Sequence, residues 1–365
     1  MWLPLILPGF PKESAISLRE GFTDLFEIPD WLKQKIGLKN LYLKMEGQLP
    51  SESFKDRGMS VAISEAVRLQ KFYPKLKIRS VACASTGDTS ASAAIYSAYV
   101  KDRLKCLVFL PYEKTSSGQL FQAIAHGAIV LSIKHPAGFD GCMELIQEYC
   151  ARHPEIVLVN SKNDFRIVGQ ETIALEICQD LHWKAPDWIA VPCGNGGNLT
   201  ALLISLLRMK ERKMINFLPG IIVAQTKGAN TLVRWAKSGF KDYNPGSFKD
   251  SIASAMNIQN PVSFPRIKEL RKKFRIEFFD ATESDIQETR DLFMGAGANI
   301  CPQTAVALDA VLEARNGGIV KENDSVIVIG TASGIKFSEL GTKRPVIIKG
   351  AIEDIEKAVK FYIND

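Results

Sequence analysis

Apolar runs of five or six residues, rich in valine and isoleucine, recur at 80–84, 105–110, 128–133, 156–160, 188–192, 220–224 and 325–329. Apolar and polar positions barely alternate within them, as expected of strands buried on both faces. Most are followed by a short stretch of Gly, Ser, Asn or Thr and then by a segment of helical periodicity. These segments are 58–70, 89–100, 119–126, 140–152, 169–181, 199–212 and 283–294. Strand, polar loop and helix in repeated succession predict an α/β fold with mostly parallel sheets and helices on both faces.

No repeat or low-complexity tract interrupts this pattern. The least regular stretch, 237–265, holds Gly239, Asn244, Pro245, Gly246, Asn260, Pro261 and Pro265 and is expected to be a long surface excursion. A chain of 365 residues suits two domains. The opening segment is too short to fold alone. A domain of residues 56–160 is therefore expected to be inserted into a larger, discontinuous one formed by 1–55 and 161–365.

The net charge of +6, from 46 basic and 40 acidic residues, is spread along the chain. No Lys/Arg block offers a footprint for nucleic acid or membrane, whereas small anions are suitable ligands. His126, His135, His153 and His182 lack metal-ligand spacing, so no metal is expected. The seven cysteines form no C-x-x-C pair and mostly sit in apolar runs, which suits reduced thiols in the cytoplasm. The opening apolar stretch has no basic start and is broken by Pro4, Pro8 and Pro11, so it is not read as a signal peptide. No run approaches the roughly 18 apolar residues of a membrane span.

Five segments at strand ends or helix starts carry candidate chemistry. In Ser51-Glu52-Ser53-Phe54-Lys55-Asp56-Arg57-Gly58, Lys55 stands where a helix begins, beside Arg57. A positive neighbour and a helix N-terminus disfavour the ammonium form and so favour an amine nucleophile. In Ala84-Ser85-Thr86-Gly87-Asp88-Thr89-Ser90, several hydroxyls precede a helix; a simple helix cap and an anion site fit this run equally. Gly194-Asn195-Gly196-Gly197-Asn198 lies between a strand and a helix and predicts a nest of backbone amides for a phosphate. It matches neither the dinucleotide fingerprint nor the P-loop. Asn160 and Arg166 follow another strand and suit a second anion, although an arginine here is more often a surface ion-pair partner. Thr331, after the strand at 325–329, can offer a neutral hydroxyl to a heteroaromatic nitrogen. A lysine nucleophile, a phosphate cup and a second anion site together suit a cofactor with a carbonyl and its own phosphate, namely pyridoxal 5'-phosphate.

From about residue 20 to about residue 337 the sequence resembles the threonine synthases, pyridoxal-phosphate enzymes of the tryptophan-synthase-β group, fold type II. Ser53-Phe54-Lys55-Asp56-Arg57-Gly58-Met59 is similar to the family's Schiff-base segment, which implies that Lys55 carries the cofactor. The resemblance further implies that Asp88 and Thr331 face the cofactor ring, that residues 194–198 hold its phosphate, and that Ser85, Thr86, Thr89, Asn160 and Arg166 meet the substrate. It departs from the common pattern at Asp88, often Asn, at Ser333, often His, and at Glu52, where a small Gly is usual. Plant members carry an N-terminal extension tied to S-adenosylmethionine activation; the sequence here lacks it, and no such regulation is expected.

The implied function is conversion of O-phospho-L-homoserine and water to L-threonine and phosphate by a cytoplasmic enzyme, expected as a homodimer with a small-molecule substrate and no nucleic-acid or membrane partner. A threonine or serine dehydratase is the alternative within the cofactor class, because it needs no second phosphate site. A non-catalytic binding protein is the alternative outside it.

Overall fold

The computed structural model describes residues 2–85, 87–112, 117–135, 138–246 and 249–340 and, near the C-terminus, 352, 355, 357, 359 and 360. Among the described residues the strands are β1 (Leu25–Glu27), β2 (Asn40–Met45), β3 (Ser80–Ala84), β4 (Lys105–Pro111), β5 (Ile129–Ile133), β6 (Ile156–Leu158), β7 (Trp188–Pro192), β8 (Gly220–Thr226), β9 (Ile276–Ala281) and β10 (Ser325–Gly330). They form a six-stranded sheet in the order β1-β2-β10-β7-β8-β9 and a four-stranded sheet in the order β5-β4-β3-β6. All described pairings are parallel except β1 with β2.

The lack of alternation in the strands has a direct structural cause. In β7, Trp188 and Ala190 enter one core and Ile189 and Val191 the other; in β10, Val326 and Val328 oppose Ile327 and Ile329 in the same way. One core packs the larger sheet against the helix Pro302–Asn316, and the other packs it against Thr172–Asp180 and Gly197–Glu211. Each fully buried Ile or Val contributes about 1.5–3 kcal/mol through removal from water. The smaller sheet packs Val81, Cys83 and Val108 against Met59, Ala62, Ile63 and Ala66 of the helix Lys55–Phe72. Its other face packs Ala82, Ala84 and Phe109 against Ile146 and Cys150 of the helix Gly138–Arg152.

Three strands lie outside the sequence expectation. β1 is only three residues long. β2 alternates, with Leu41 and Leu43 buried, and is antiparallel to its neighbour β1. β9 is an edge strand, half-buried over most of its length. The helix expected at 169–181 is two helices, Asp164–Gln170 and Thr172–Asp180, and Thr172 donates its hydroxyl to the Gly169 carbonyl at the break. All seven cysteines are buried and free. Among the described residues no helix is long and apolar enough to cross a membrane.

Candidate active site

The ends of β3, β7 and β10 and the start of the helix Lys55–Phe72 meet at the carboxyl edges of the two sheets, where parallel sheets bind ligands. The Phe54 N–H donates to the Thr331 carbonyl at 2.9 Å, and Ser53 bridges Ala332, so the Lys55 turn is stitched to the end of β10. Asp56 fixes the same turn from below by accepting from the Ser51 N–H at 2.6 Å and from the Ser92 hydroxyl at 2.6 Å. Glu52 stands at φ +60°, a left-handed conformation that only glycine adopts freely. Glu52 therefore occupies this position under strain.

Behind the turn, two helices cross with almost no space between their backbones. A Cβ on Gly169 would lie 1.9 Å from the Arg57 carbonyl oxygen, and one on Gly58 would lie 2.5 Å from that of Arg166. This contact carries Arg166, on the helix Asp164–Gln170, to the Lys55 side of the molecule.

Lys55, Asp88, Arg166, Thr331 and the whole run Gly194-Asn195-Gly196-Gly197-Asn198 line one cavity. Gly196 caps the helix Gly197–Glu211 at φ +77°, and a Cβ there would also strike Ile267 Cδ1 at 2.5 Å. The loop therefore presents backbone amides, at a helix N-terminus, to the cavity. The Lys55 amine is lowered to about 7, first by burial and then by the Arg166 charge, while Asp88 opposes the shift. Lysine at this value is an effective neutral nucleophile near pH 7.

Arg57 does not contribute to this effect, contrary to the sequence expectation. It turns away and reaches Glu46 Oε1 and Glu176 Oε2 at 2.7 Å each, with the Thr172 hydroxyl at 3.0 Å. Two buried carboxylates neutralise it, and Lys44 extends the cluster to Asp180 at 2.8 Å.

Asn160 is engaged within the chain. Its amide pairs with both backbone groups of Ala84, at 2.9 and 2.8 Å, and so pins the end of β3. Asn160 is absent from the cavity lining, as are Ser85 and Thr89. The Ser85 hydroxyl accepts from the Gly87 N–H, and Thr89 is buried in the first turn of the helix Asp88–Tyr99. Thr86 lies outside the described residues. Thr331 is held by contacts of its hydroxyl with Cys301 and Thr304.

The cavity also gathers residues the sequence did not single out. Gln303 lies in the first turn of the helix Pro302–Asn316, is 6% exposed, and has no hydrogen-bond partner among the described residues for either amide atom. Gln170 Oε1, Arg166 Nε and both amide atoms of Asn198 are likewise buried without hydrogen-bond partners among the described residues. Buried polar groups are ordinarily paired. So many unpaired ones around one cavity mark a place built for a polar, anionic ligand. Pro302 at the first helical position followed by an apolar run is a start signal that could have located this helix. The stretch 237–265, expected as a surface excursion, brings Ala255 and Met256 to the cavity wall, and the Ser263 N–H holds the Asn195 carbonyl at 3.1 Å. Apolar anchoring by Ala253 and Met256, both buried in the main core, draws it inward.

The family described as pyridoxal-phosphate dependent enzyme matches residues 16–332. Threonine synthase of Methanocaldococcus jannaschii is 35% identical over 97% of the chain and 85% of its own length. The chain belongs to the threonine synthases, within the pyridoxal-phosphate dependent enzymes. Threonine synthase 2, chloroplastic, of Arabidopsis thaliana is 41% identical over 92% of the chain, which spans 64% of that relative's length. Among solved structures, threonine synthase from Escherichia coli aligns over 94% of the chain and 90% of its own, with a TM-score of 0.68 and 21% identity. Diaminopropionate ammonia lyase from Escherichia coli aligns over 91% of each chain with a TM-score of 0.72 and 15% identity. These last two show the fold, that of fold type II pyridoxal-phosphate enzymes. This threonine synthase family member is a pyridoxal-phosphate-dependent lyase, and the unpaired amides, the helix-start cup and the neutralisable lysine in one cavity fit that cofactor.

Proposed function

We propose that the chain converts O-phospho-L-homoserine and water to L-threonine and phosphate. The observation that carries this is the presence of two separate anion-holding points in one cavity with Lys55: the 194–198 cup and the buried Arg166 guanidinium. The first suits the phosphate of the cofactor. The second, a rigid fork of donors with Nε unpaired, suits a phosphate on the substrate. Pyridoxal phosphate, when bound, supplies the conjugation that delocalises the electron pair left by the Cα proton.

In this proposal Lys55 Nζ would hold the cofactor. The free Lys55 amine would take the proton from Cα and then move protons at Cβ. An amine that is lowered to about 7 can both accept and return protons near neutrality. Arg166 holds the phosphate that leaves Cγ, and water adds at Cβ. Asp88 and Thr331, both on the cavity wall, would face the cofactor ring, the first as an acceptor and the second as a neutral hydroxyl. Asn160 acts one step back by pinning β3, and Ser85 and Thr89 lie at the same strand end for the substrate.

We assign residues 1–55 and 161–365 to a large domain and 56–160 to a small one. This is supported by the two sheets, whose strands fall within 25–45 with 188–330 and within 80–158. A homodimer in the cytoplasm is the expected form, and sedimentation of the purified protein reads its assembly. The reaction is tested by adding O-phosphohomoserine or threonine to the loaded enzyme. Release of phosphate with threonine formation supports the proposal. Formation of 2-oxobutanoate from threonine, with no phosphate release from O-phosphohomoserine, would establish the dehydratase instead.

A further inference from the structure

Lys336 has no part in the reaction outlined above, yet its side chain is 4% exposed and ends beside the cavity wall. Its ammonium lies 2.7 Å from Asp88 Oδ1 and donates to the Ser51 carbonyl at 2.7 Å. Ser51 in turn gives its N–H and its hydroxyl to Asp56, the residue after Lys55. Asp56 also accepts from Ser92, one turn along the helix that Asp88 begins. Polar contacts thus run from Asp88 through Lys336, Ser51 and Asp56 to Ser92, and the first turn of the helix Asp88–Tyr99 joins Ser92 back to Asp88 and closes the ring.

The ring joins three elements of different origin. Lys336 follows β10 of the larger sheet, Asp88 and Ser92 belong to a helix of the smaller sheet, and Ser51 and Asp56 flank Lys55. Asp56 is pushed up to about 6 by burial, an effect that its serine donors and the Lys336 charge oppose. Taking one member out of such a ring leaves another buried and unpaired.

We propose that Lys336 is a positioning residue that acts through Asp88. Its ion pair holds the Asp88 carboxylate at the cavity wall as an acceptor and locks the start of the helix Asp88–Tyr99 against the turn carrying Lys55. This rests on the assignment of Asp88 to the cofactor. It also gives a reason why a carboxylate is tolerated at this position: a buried cation of the opposite sheet balances it.

The test is a double-mutant cycle on the whole chain, read by pyridoxal phosphate affinity of the apo-protein and by the absorption maximum of the loaded protein. K336M and K336Q are each expected to weaken cofactor binding about tenfold and to shift the absorption band. K336R is expected to restore most of both. K336Q keeps a donor for the Ser51 carbonyl and carries the comparison if K336M does not fold. In a D88N background the same Lys336 changes are expected to have little further effect. Equal losses with Asp or Asn at position 88 would show that Lys336 does not act through Asp88, and the proposal would fall. A D88N variant unchanged in affinity and spectrum would overturn it by removing Asp88 from the cofactor. Phosphate release from O-phosphohomoserine by the unaltered protein reports separately on the proposed reaction.

Discussion

The two sides of the cavity hold charge by different means. The 194–198 side is backbone: glycines, a left-handed cap at Gly196 and the start of a helix. The Lys55 side is built from ionised side chains, with Arg57, Glu46, Glu176 and Lys44 behind it and Asp56, Asp88 and Lys336 around it. A cup made of amides needs no partner charge and binds an anion at any pH. The lysine side depends on burial and balanced charge, because that is what keeps an amine neutral near pH 7. The comparison suggests that one side supplies affinity and the other reactivity.

The largest effect is expected from Lys55→Ala. Turnover should fall by about a thousandfold or more and the visible band of the loaded protein should vanish, while non-covalent cofactor binding through the cup persists. Loss of the two together would erase the distinction between the sides. Arg57→Met should leave Glu46 buried without its counter-charge and Glu176 with Lys44 alone, and lower unfolding stability by about 3–5 kcal/mol in denaturant titration. On the opposite side, Gly196→Ala should weaken cofactor affinity without moving the lysine's titration. Backbone strain at φ +77° costs about 1–3 kcal/mol, readable by titrating apo-protein.

A smaller effect concerns pH. With Lys55 lowered to about 7, cofactor loading should speed up as pH rises through about 7 and then level off. Arg166→Met removes one cause of the shift, so the midpoint should move upward. The folded value lies below the ordinary lysine value of 10.5, so this lysine binds fewer protons when folded. Apo-protein stability from this group should therefore increase as pH climbs from about 7 towards 10.5. The smallest effect is at Glu52: Glu52→Gly should relieve its left-handed strain and stabilise by up to about 1 kcal/mol in thermal unfolding.

The same contrast explains which features were legible in the sequence. The strands at 80–84 and 188–192 were legible because burial on both faces writes an unbroken apolar run. The cup was legible because an amide nest requires glycine and little else. β2 was overlooked because its neighbours impose alternation over only six residues, and β1 is too short to carry a period. The ion cluster was illegible for a different reason. Arg57 and Glu176 are 119 positions apart, and Lys336 and Ser51 are 285 apart, so nothing local in the chain announces their contact. Proximity in sequence misled at Arg57, which adjoins Lys55 along the chain but faces away from it, while Arg166 arrives through the Gly58–Gly169 crossing. Gln303 was hidden because a single glutamine at a helix start has many uses, and only its unpaired amide in the folded chain marks it.

The most direct measurement is borohydride reduction of the protein loaded with pyridoxal phosphate, followed by peptide mapping. Reduction fixes the cofactor to whichever amine holds it. The account predicts a pyridoxyl group on Lys55 in the peptide spanning Ser53 to Arg57. A group fixed to any other lysine, or none from a protein that binds the cofactor, would contradict it.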